Sequence, residues 1–507
     1  MGHRSGTFRV IAAALLCGSA PALAASTPAP ASSTLAPAAF ANPALPAAPA
    51  VEVYYSLRGN APIWFRDAST MEAAKMLSAI FKRAPLDGLA NGPQLARMVE
   101  AALARAQTAP FVAVPAARAA SFVAEDKLIS AAWVQYVRAL KAPIAGMTYG
   151  DAALEPKVPT PERILIDASK APSLLQHVQA VAAVNPLYAQ LRDAAWAEMA
   201  SQAQFAPAVA PDPRLVANLD RARVLPASGR YILVNAATAQ LSMYQDGRVV
   251  DTMKVVVGKR GTQTPLLAGT IHYVTFNPYW NIPTDVARRA VAPLVVKRGA
   301  SYLRAARYEV TADWTAGGAV IEPDTIDWKA VVAGTADVHL RQLPGPRNMM
   351  GAIKFGFVND LGIYLHDTPN KGLFAKPKRN FSLGCVRVED ARRLAHWFLG
   401  KEPVAPSTEP EQNVQLPQGI PVFITYLTAE AQGGQLTFAD DVYGLDPKVD
   451  PALSEVKLAT APVTVAPTDV KLTTASASAA TTDVKLDTAP ASAASSSAST
   501  PTPPTDQ

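Results

Sequence analysis

Cys385 and His366 are the residues whose types and spacing can do chemistry together. Cys385 follows Ser382-Leu383-Gly384 and precedes Val386-Arg387. His366 closes the run Tyr364-Leu365-His366, 19 positions earlier. A thiol attacks only as thiolate, so its surroundings decide its reactivity. Residues 386–399 read as an amphipathic helix, with Val386, Ala391, Leu394, Ala395 and Phe398 on one side and Glu389, Arg392 and Arg393 on the other. Cys385 then stands at the helix entrance, after a glycine that permits a sharp turn. The unpaired N–H groups and the macrodipole at such a position favour an anion, which predicts a lowered thiol pKa. Arg387 adds positive charge. The N–H groups of Gly384 and Cys385 are the candidate oxyanion hole, and His366, ending a strand, is the candidate general base. A positioned base contributes on the order of 10²–10⁴-fold. Such a pair predicts a limb near neutrality in the pH–rate profile.

The bland alternatives are a small buried hydrophobe for the cysteine and a satisfied structural residue for the histidine. Three features favour chemistry. The cysteine is alone after export, a glycine precedes it, and a helix is expected to follow. On the residues alone, the reading is a Cys–His acyl-transfer enzyme.

The elements that must hold this pair lie in a strand-rich second half. Tyr231–Val234, Leu241–Tyr244, Val249–Val257, Thr270–Phe276, Ile353–Phe357, Gly362–Leu365 and Val422–Leu427 read as strands. Asp246-Gly247 is a hairpin turn signal. Residues 285–345 mix helix-like stretches with long loops and read as an insertion over the β core. The first half, residues 51–215, is mainly helical: Met71–Arg83, Leu95–Ala106, Phe122–Leu140, Ser173–Ala183 and Pro186–Ala200 carry helical spacing. It shows no titratable cluster that suggests chemistry. Residues 202–214, rich in Ala and Pro, mark a boundary.

The chain has 507 residues, 44 of them Pro, with 2 Cys and 6 His. That length allows two or three domains. Two cysteines exclude a disulfide-rich scaffold and any Cys-cluster zinc or iron–sulfur site. No H-x-x-x-H pair occurs, which excludes a zincin. Neither a metal nor a cofactor is expected. Residues 1–25 read as a secretory signal: Arg4 and Arg9, the apolar run Val10–Cys17, then Ala22-Leu23-Ala24 as cleavage site. The run is far below the roughly 20 residues of a membrane span, so no stable span is expected after cleavage. Cleavage would remove Cys17 and leave Cys385 as the one thiol. The expected compartment is the periplasm. Residues 26–50 read as an Ala/Pro-rich linker. Residues 447–507 read as a disordered tail, with Glu455–Leu458, Asp469–Leu472 and Asp483–Leu486 repeating at a period of 14 residues. The net charge of +6 fits an anionic wall polymer better than nucleic acid, which is not expected as a partner.

Ser382-Leu383-Gly384-Cys385-Val386-Arg387, with His366 upstream, resembles the signature of the YkuD-type L,D-transpeptidases. Asn235, Val255-Val256-Val257-Gly258-Lys259, Gln263-Thr264-Pro265 and Asn277-Pro278-Tyr279-Trp280-Asn281-Ile282-Pro283 are also similar to that domain. Ala61-Pro62-Ile63-Trp64, Asp87-Gly88-Leu89 and Phe438–Gly444 resemble the large Gram-negative, YcbB-like branch. The resemblance covers roughly residues 51–446. It implies an α+β architecture, with a mostly helical N-terminal scaffold (51–215) and a β-rich catalytic domain (216–446) carrying a lid insertion (285–345). Two departures stand out. Leu383 occupies the place of the family's common His. The small peptidoglycan-binding module of the branch is not visible, since residues 193–215 are too short to hold it.

The resemblance implies that the Cys385 thiolate attacks the L,D amide of a peptidoglycan stem tetrapeptide. D-Ala leaves, protonated by His366, and an amine of a second stem takes the acyl group in a 3→3 cross-link. It nominates Asp367 to orient the His366 ring, by its backbone carbonyl or by its carboxylate. Ser382, Tyr364 and Trp280 are carried over as substrate-contacting residues, with core packing the alternative for Tyr364 and Trp280. Arg387 is either a clamp for a substrate carboxylate or a structural pair with Glu389 or Asp390. Lys376-Pro377-Lys378-Arg379 either attracts acidic stems or is a solvated loop. Carbapenems are expected to acylate Cys385. The lid, anchored by Trp314 and Trp328, would keep water from the acyl-enzyme. The alternatives are a hydrolase of the same fold and a non-enzymatic wall-binding protein.

Overall fold

The computed structural model describes residues 45–108, 115–203, 210–315 and 317–448. The expected signal peptide, residues 26–44 of the expected linker and nearly all of the expected tail lie outside the described residues. The last residues assigned to the linker are not linker: Ala48 opens the first helix.

The N-terminal part is helical: α1 (Ala48–Leu57), α2 (Ala68–Arg83), α3 (Gly92–Thr108) and α4 (Pro115–Leu140). A short strand β1 (Thr148–Tyr149) follows, then α5 (Pro161–Lys170), α6 (Leu174–Ala183), α7 (Pro186–Ala203) and α8 (Pro213–Ala222). Asp67 starts α2 through a capping box with Thr70. Trp64, Trp133, Tyr55, Tyr136, Tyr188 and Phe81 fill the core. The segment Ala61–Trp64 is pinned by a buried carboxylate: Asp126 accepts from the N–H groups of Ile63 at 2.7 Å, Trp64 at 2.8 Å and Phe65 at 3.0 Å. Helices α5 and α8 are absent from the sequence reading. Each is only 10 residues long and starts at a Pro behind a capping Thr160 or Asp212.

The second part is a closed sheet. Its strands are β2 (Arg230–Asn235), β3 (Gln240–Gln245), β4 (Arg248–Gly258), β5 (Leu267–Phe276) and others that follow the insertion. The inserted segment carries β6 (Trp280–Ile282), α9 (Thr284–Val286) running through a π-turn into α10 (Ala292–Arg298), α11 (Ser301–Ala306), β7 (Tyr308–Thr311), β8 (Val320–Ile321), α12 (Trp328–Ala333) and β9 (His339–Gln342). Then come β10 (Ile353–Gly356), β11 (Leu365–His366), β12 (Asn380–Ser382), β13 (Val386–Val388), α13 (Ala391–Leu399), β14 (Gln412–Thr425) and a hairpin of β15 (Ala429–Gln432) and β16 (Gln435–Phe438). The order is β5-β10-β11-β13-β4-β3-β2-β14, and β14 also pairs with β5, which closes the ring. β1 adds in parallel to β5, so the helical half donates a strand to this sheet. The β2–β3 and β3–β4 hairpins are antiparallel; Asp246 and Gly247, both at positive φ, make the tight turn between β3 and β4.

The insertion begins earlier than 285. β6-β9-β7-β8 form a separate sheet over its own core of Ile282, Val291, Leu303, Val310, Val331 and Leu340. Trp328 is buried there and donates Nε1–H to Pro323 O at 2.8 Å. Trp314 is no anchor: it is exposed, its ring edge-on to His339.

Candidate active site

The expected helix at 386 starts later. Val386, Arg387 and Val388 are a strand, and α13 begins at Ala391 with Asp390 as its cap, accepting from Arg393 N at 3.0 Å. The period explains this. Val386 and Val388 are both fully buried while Arg387 between them is not, a two-residue alternation. β13 lies inside the sheet, parallel to β11 and antiparallel to β4. Cys385 therefore has no helix dipole behind it. Its thiol pKa is raised, not lowered. Burial drives it up, against hydrogen bonds from the Tyr364 amide and hydroxyl and the positive charge of Arg387.

The register brings the site together. Leu365 pairs with Val386 and His366 with Arg387. Leu365 and Val386 point into the core with no exposure, so His366 and Arg387 point to the opposite face. The alternation carries Tyr364 and Cys385 to that face too. Cys385 stands one residue before β13, and Tyr364 links it to His366: the Tyr364 ring lies edge-on to the imidazole at 6.1 Å and its hydroxyl bonds the sulfur. Cys385 is half-buried, and its Sγ lies 3.7 Å from the carbonyl oxygen of Gly362.

His366 is buried, and its Nδ1–H donates to the backbone carbonyl of Asp367 at 2.6 Å. That settles which group of Asp367 holds the ring. Its carboxylate is engaged elsewhere, by Ala352 N–H at 2.9 Å and Lys371 Nζ at 2.6 Å. With Nδ1 protonated, the neutral ring keeps its lone pair on Nε2. Burial, then the Arg387 charge, push the imidazole pKa down to about 4, against backbone bonds to Asp367 and Met350. The pair at neutral pH is a thiol and a neutral imidazole.

The other residues divide. Gly384 sits at φ +129°, open to glycine alone at low cost, and a Cβ there would meet Ile363 Cδ1 at 3.1 Å. Its N–H donates to Ser382 Oγ at 3.2 Å, so it is not a free oxyanion donor. The Cys385 N–H has no acceptor among the described residues. Ser382 is not a substrate contact: it is buried, and its hydroxyl donates to Cys385 O at 2.6 Å, bracing the loop. Trp280 belongs to the insertion, where it lies against that subdomain's core. Arg387 makes no pair with Glu389 or Asp390. Glu389 accepts from Lys254 N–H and Asp390 caps α13. The Arg387 Nε is buried without a partner, and burial lowers its pKa. In the basic loop, Arg379 is a structural pin, donating to the carbonyls of Val255, Thr238 and Ala239 at 3.0–3.2 Å.

Two positioning residues escaped the sequence reading. Thr264 is buried, accepts from Gly258 N–H at 2.8 Å and donates to Gly384 O at 2.7 Å. Asn348 is buried at the exit of the insertion, donates to the carbonyls of Pro278, Gln342 and Leu343, and accepts from Met350 N–H at 2.7 Å. Met350 in turn touches His366 through its backbone. Thr264 stood in the Gln263-Thr264-Pro265 triplet without a role assigned to it; nothing in the sequence marked Asn348.

Residues 229–416 match the model of the L,D-transpeptidase catalytic domain, YkuD, and residues 49–194 match that of a scaffold domain. Residues 229–416 are thus a YkuD-type L,D-transpeptidase catalytic domain. A putative L,D-transpeptidase of Haemophilus influenzae is 27% identical over 330 residues, which are 63% of this chain and 65% of that one. The chain thus spans about two thirds of its relative's length. Among solved structures, an L,D-transpeptidase from Mycobacterium smegmatis is 12% identical with a TM-score of 0.20, covering 39% of this chain and 59% of its own. An LD transpeptidase in complex with imipenem is 10% identical with a TM-score of 0.20, covering 39% and 60%. No described helix is long and apolar enough to cross a membrane, and no described group of His, Cys, Asp and Glu could hold a metal ion.

Proposed function

We propose that this L,D-transpeptidase family member cross-links peptidoglycan stems in the periplasm, with Cys385 as nucleophile and His366 as proton carrier. The observation that supports this most is the shared sheet face: a half-buried sulfur and an imidazole whose Nδ1–H is held by Asp367 O, leaving Nε2 basic. Nε2 takes the thiol proton as Sγ attacks the carbonyl carbon of the L,D amide. The C–N bond breaks, the proton passes to the departing D-Ala amine, and a thioester remains. A second stem's amine then attacks the thioester, the C–S bond breaks, and the amine's proton returns to sulfur through His366. The Cys385 N–H, which has no acceptor among the described residues, is the donor open to the developing oxyanion. Arg387, lacking a protein partner for Nε, suits a substrate carboxylate.

The test is incubation of the mature protein with tetrapeptide muropeptides and mass analysis of the products. Cross-linked dimer with loss of D-Ala is expected from the wild type and from no Cys385→Ala sample. Tripeptide alone would point to the hydrolase alternative.

A further inference from the structure

A second concavity, about 720 Å³ in volume, lies between α7, the β2–β4 stretch of the sheet and the β15–β16 hairpin. That size falls in the roughly 300–1,000 Å³ range of ligand sites. Its lining is not that of a packing gap. β3 presents Gln240, Ser242 and Tyr244, alternate residues of one strand face, while α7 adds Gln190, β4 adds Thr252 and β16 adds Thr437. Among the described residues, no hydrogen bond within the protein uses the side chains of Gln190, Gln240, Ser242, Thr252 or Thr437. Five amide or hydroxyl side chains thus line one space, reached by solvent and bonded to no other group of the protein. Its charged lining residues, Arg248 and Glu430, are of opposite sign, so the groove carries no net charge. Tyr244 is buried at the floor of the groove, its ring held by stacking on Tyr231 with centroids 4.6 Å apart.

We propose that this groove binds a neutral, N-acetylated oligosaccharide: the glycan strand of the polymer whose stems the Cys385 site modifies. The choice of wall glycan rests on the proposed function. Neutral amides and hydroxyls pair with sugar hydroxyl and acetamido groups, and the apolar lining of Leu187, Val249 and Phe438 suits pyranose C–H groups. A phosphate or an acidic peptide would call for uncompensated cations instead. The placement fits. Strand β4 lines the groove at Thr252 and reaches the catalytic loop at Gly258, where it pairs with β12. Those six steps span about 20 Å, so one polymer can occupy both sites.

The experiment titrates the N-acetylglucosamine tetramer, a stem-free probe, into the full mature protein by calorimetry, alongside sedimentation with wall glycan stripped of stems. Saturable binding is expected, weakened at least tenfold by Gln240→Ala/Ser242→Ala. A second variant from the opposite walls, Gln190→Ala/Thr437→Ala, should weaken it likewise. Both variants should keep the wild-type melting temperature and rate of Cys385 acylation by a carbapenem. Absent binding of tetramer and stripped strands, affinity undiminished in both variants, or binding of free stem peptide alone would overturn the proposal. Glycan binding without muropeptide turnover would sink the proposed reaction and leave the groove standing. Turnover without glycan binding would do the reverse.

Discussion

His366 controls the pH behaviour at the scale of single residues. Its pKa near 4 in the folded chain, against 6.5 for a free imidazole, arises first from burial and then from Arg387. The base stays competent until the pH falls to about 4, so the acid limb of the acylation rate should lie there and not near neutrality, as the sequence alone implied. A stopped-flow profile of carbapenem acylation checks this; a limb at the free-imidazole value would show that the ring is solvated. The same shift has a stability sign. The unfolded chain takes up the proton below 6.5 and the native chain refuses it, so this contribution is complete above 6.5 and is lost as pH falls toward 4. It amounts to about 3 kcal/mol at most. Urea unfolding at about pH 4.5 and about pH 7.5 should show a smaller gap in His366→Gln than in the wild type. Cys385 and His366 stand out in the sequence by residue type and local motif, whereas the engagement of the Gly384 N–H by Ser382 Oγ does not. Ser382 was misjudged because its direction depends on a turn that Gly384 makes. Asn348 stayed hidden because its partners lie across the neck of the insertion.

The loop before β13 is the element that aims the sulfur, and two substitutions test it. Gly384→Ala forces a side chain onto φ +129° and against Ile363, at about 1–3 kcal/mol. A lowered melting temperature and slower acylation are expected together. Thr264→Val removes the acceptor of the buried Gly258 N–H and the donor to Gly384 O. It should cost about 1–3 kcal/mol, while Thr264→Ser, which keeps the hydroxyl, should restore most of the acylation rate. The misread start of α13 is instructive in physical terms. Val386 fits both a helical stripe and a strand alternation, and the Asp390 cap, four residues later, is what separates the two. The pattern through Phe398 was right for Ala391, Leu394 and Ala395, and it could not reveal that Val386 is covered by β11 and β4 instead.

Across the whole molecule, a helical scaffold and a closed sheet are stitched along the sequence. Asn218 of α8 accepts from Thr428 N–H at 2.7 Å and Ala429 N–H at 3.0 Å, tying this helix to the start of the β15–β16 hairpin. The two-part α+β plan was readable from the switch in periodicity near residue 230. The strand that the helical half lends to the sheet was not, since two residues carry no period. The insertion has its own core, so replacing residues 280–346 by a short Gly-Ser linker should leave the sheet folded. If the insertion shields the thioester, that variant should raise the ratio of tripeptide to cross-linked dimer several-fold; an unchanged ratio would remove the lid role. The most direct test of the central claim is the mass of the acyl-enzyme itself. Mature protein mixed with a tetrapeptide stem in the absence of an acceptor, then quenched in acid, should gain the mass of the tripeptide acyl group on the peptide that contains Cys385. The Cys385→Ala chain should gain nothing. An adduct on any other residue, or turnover by the Cys385→Ala chain, would contradict the account.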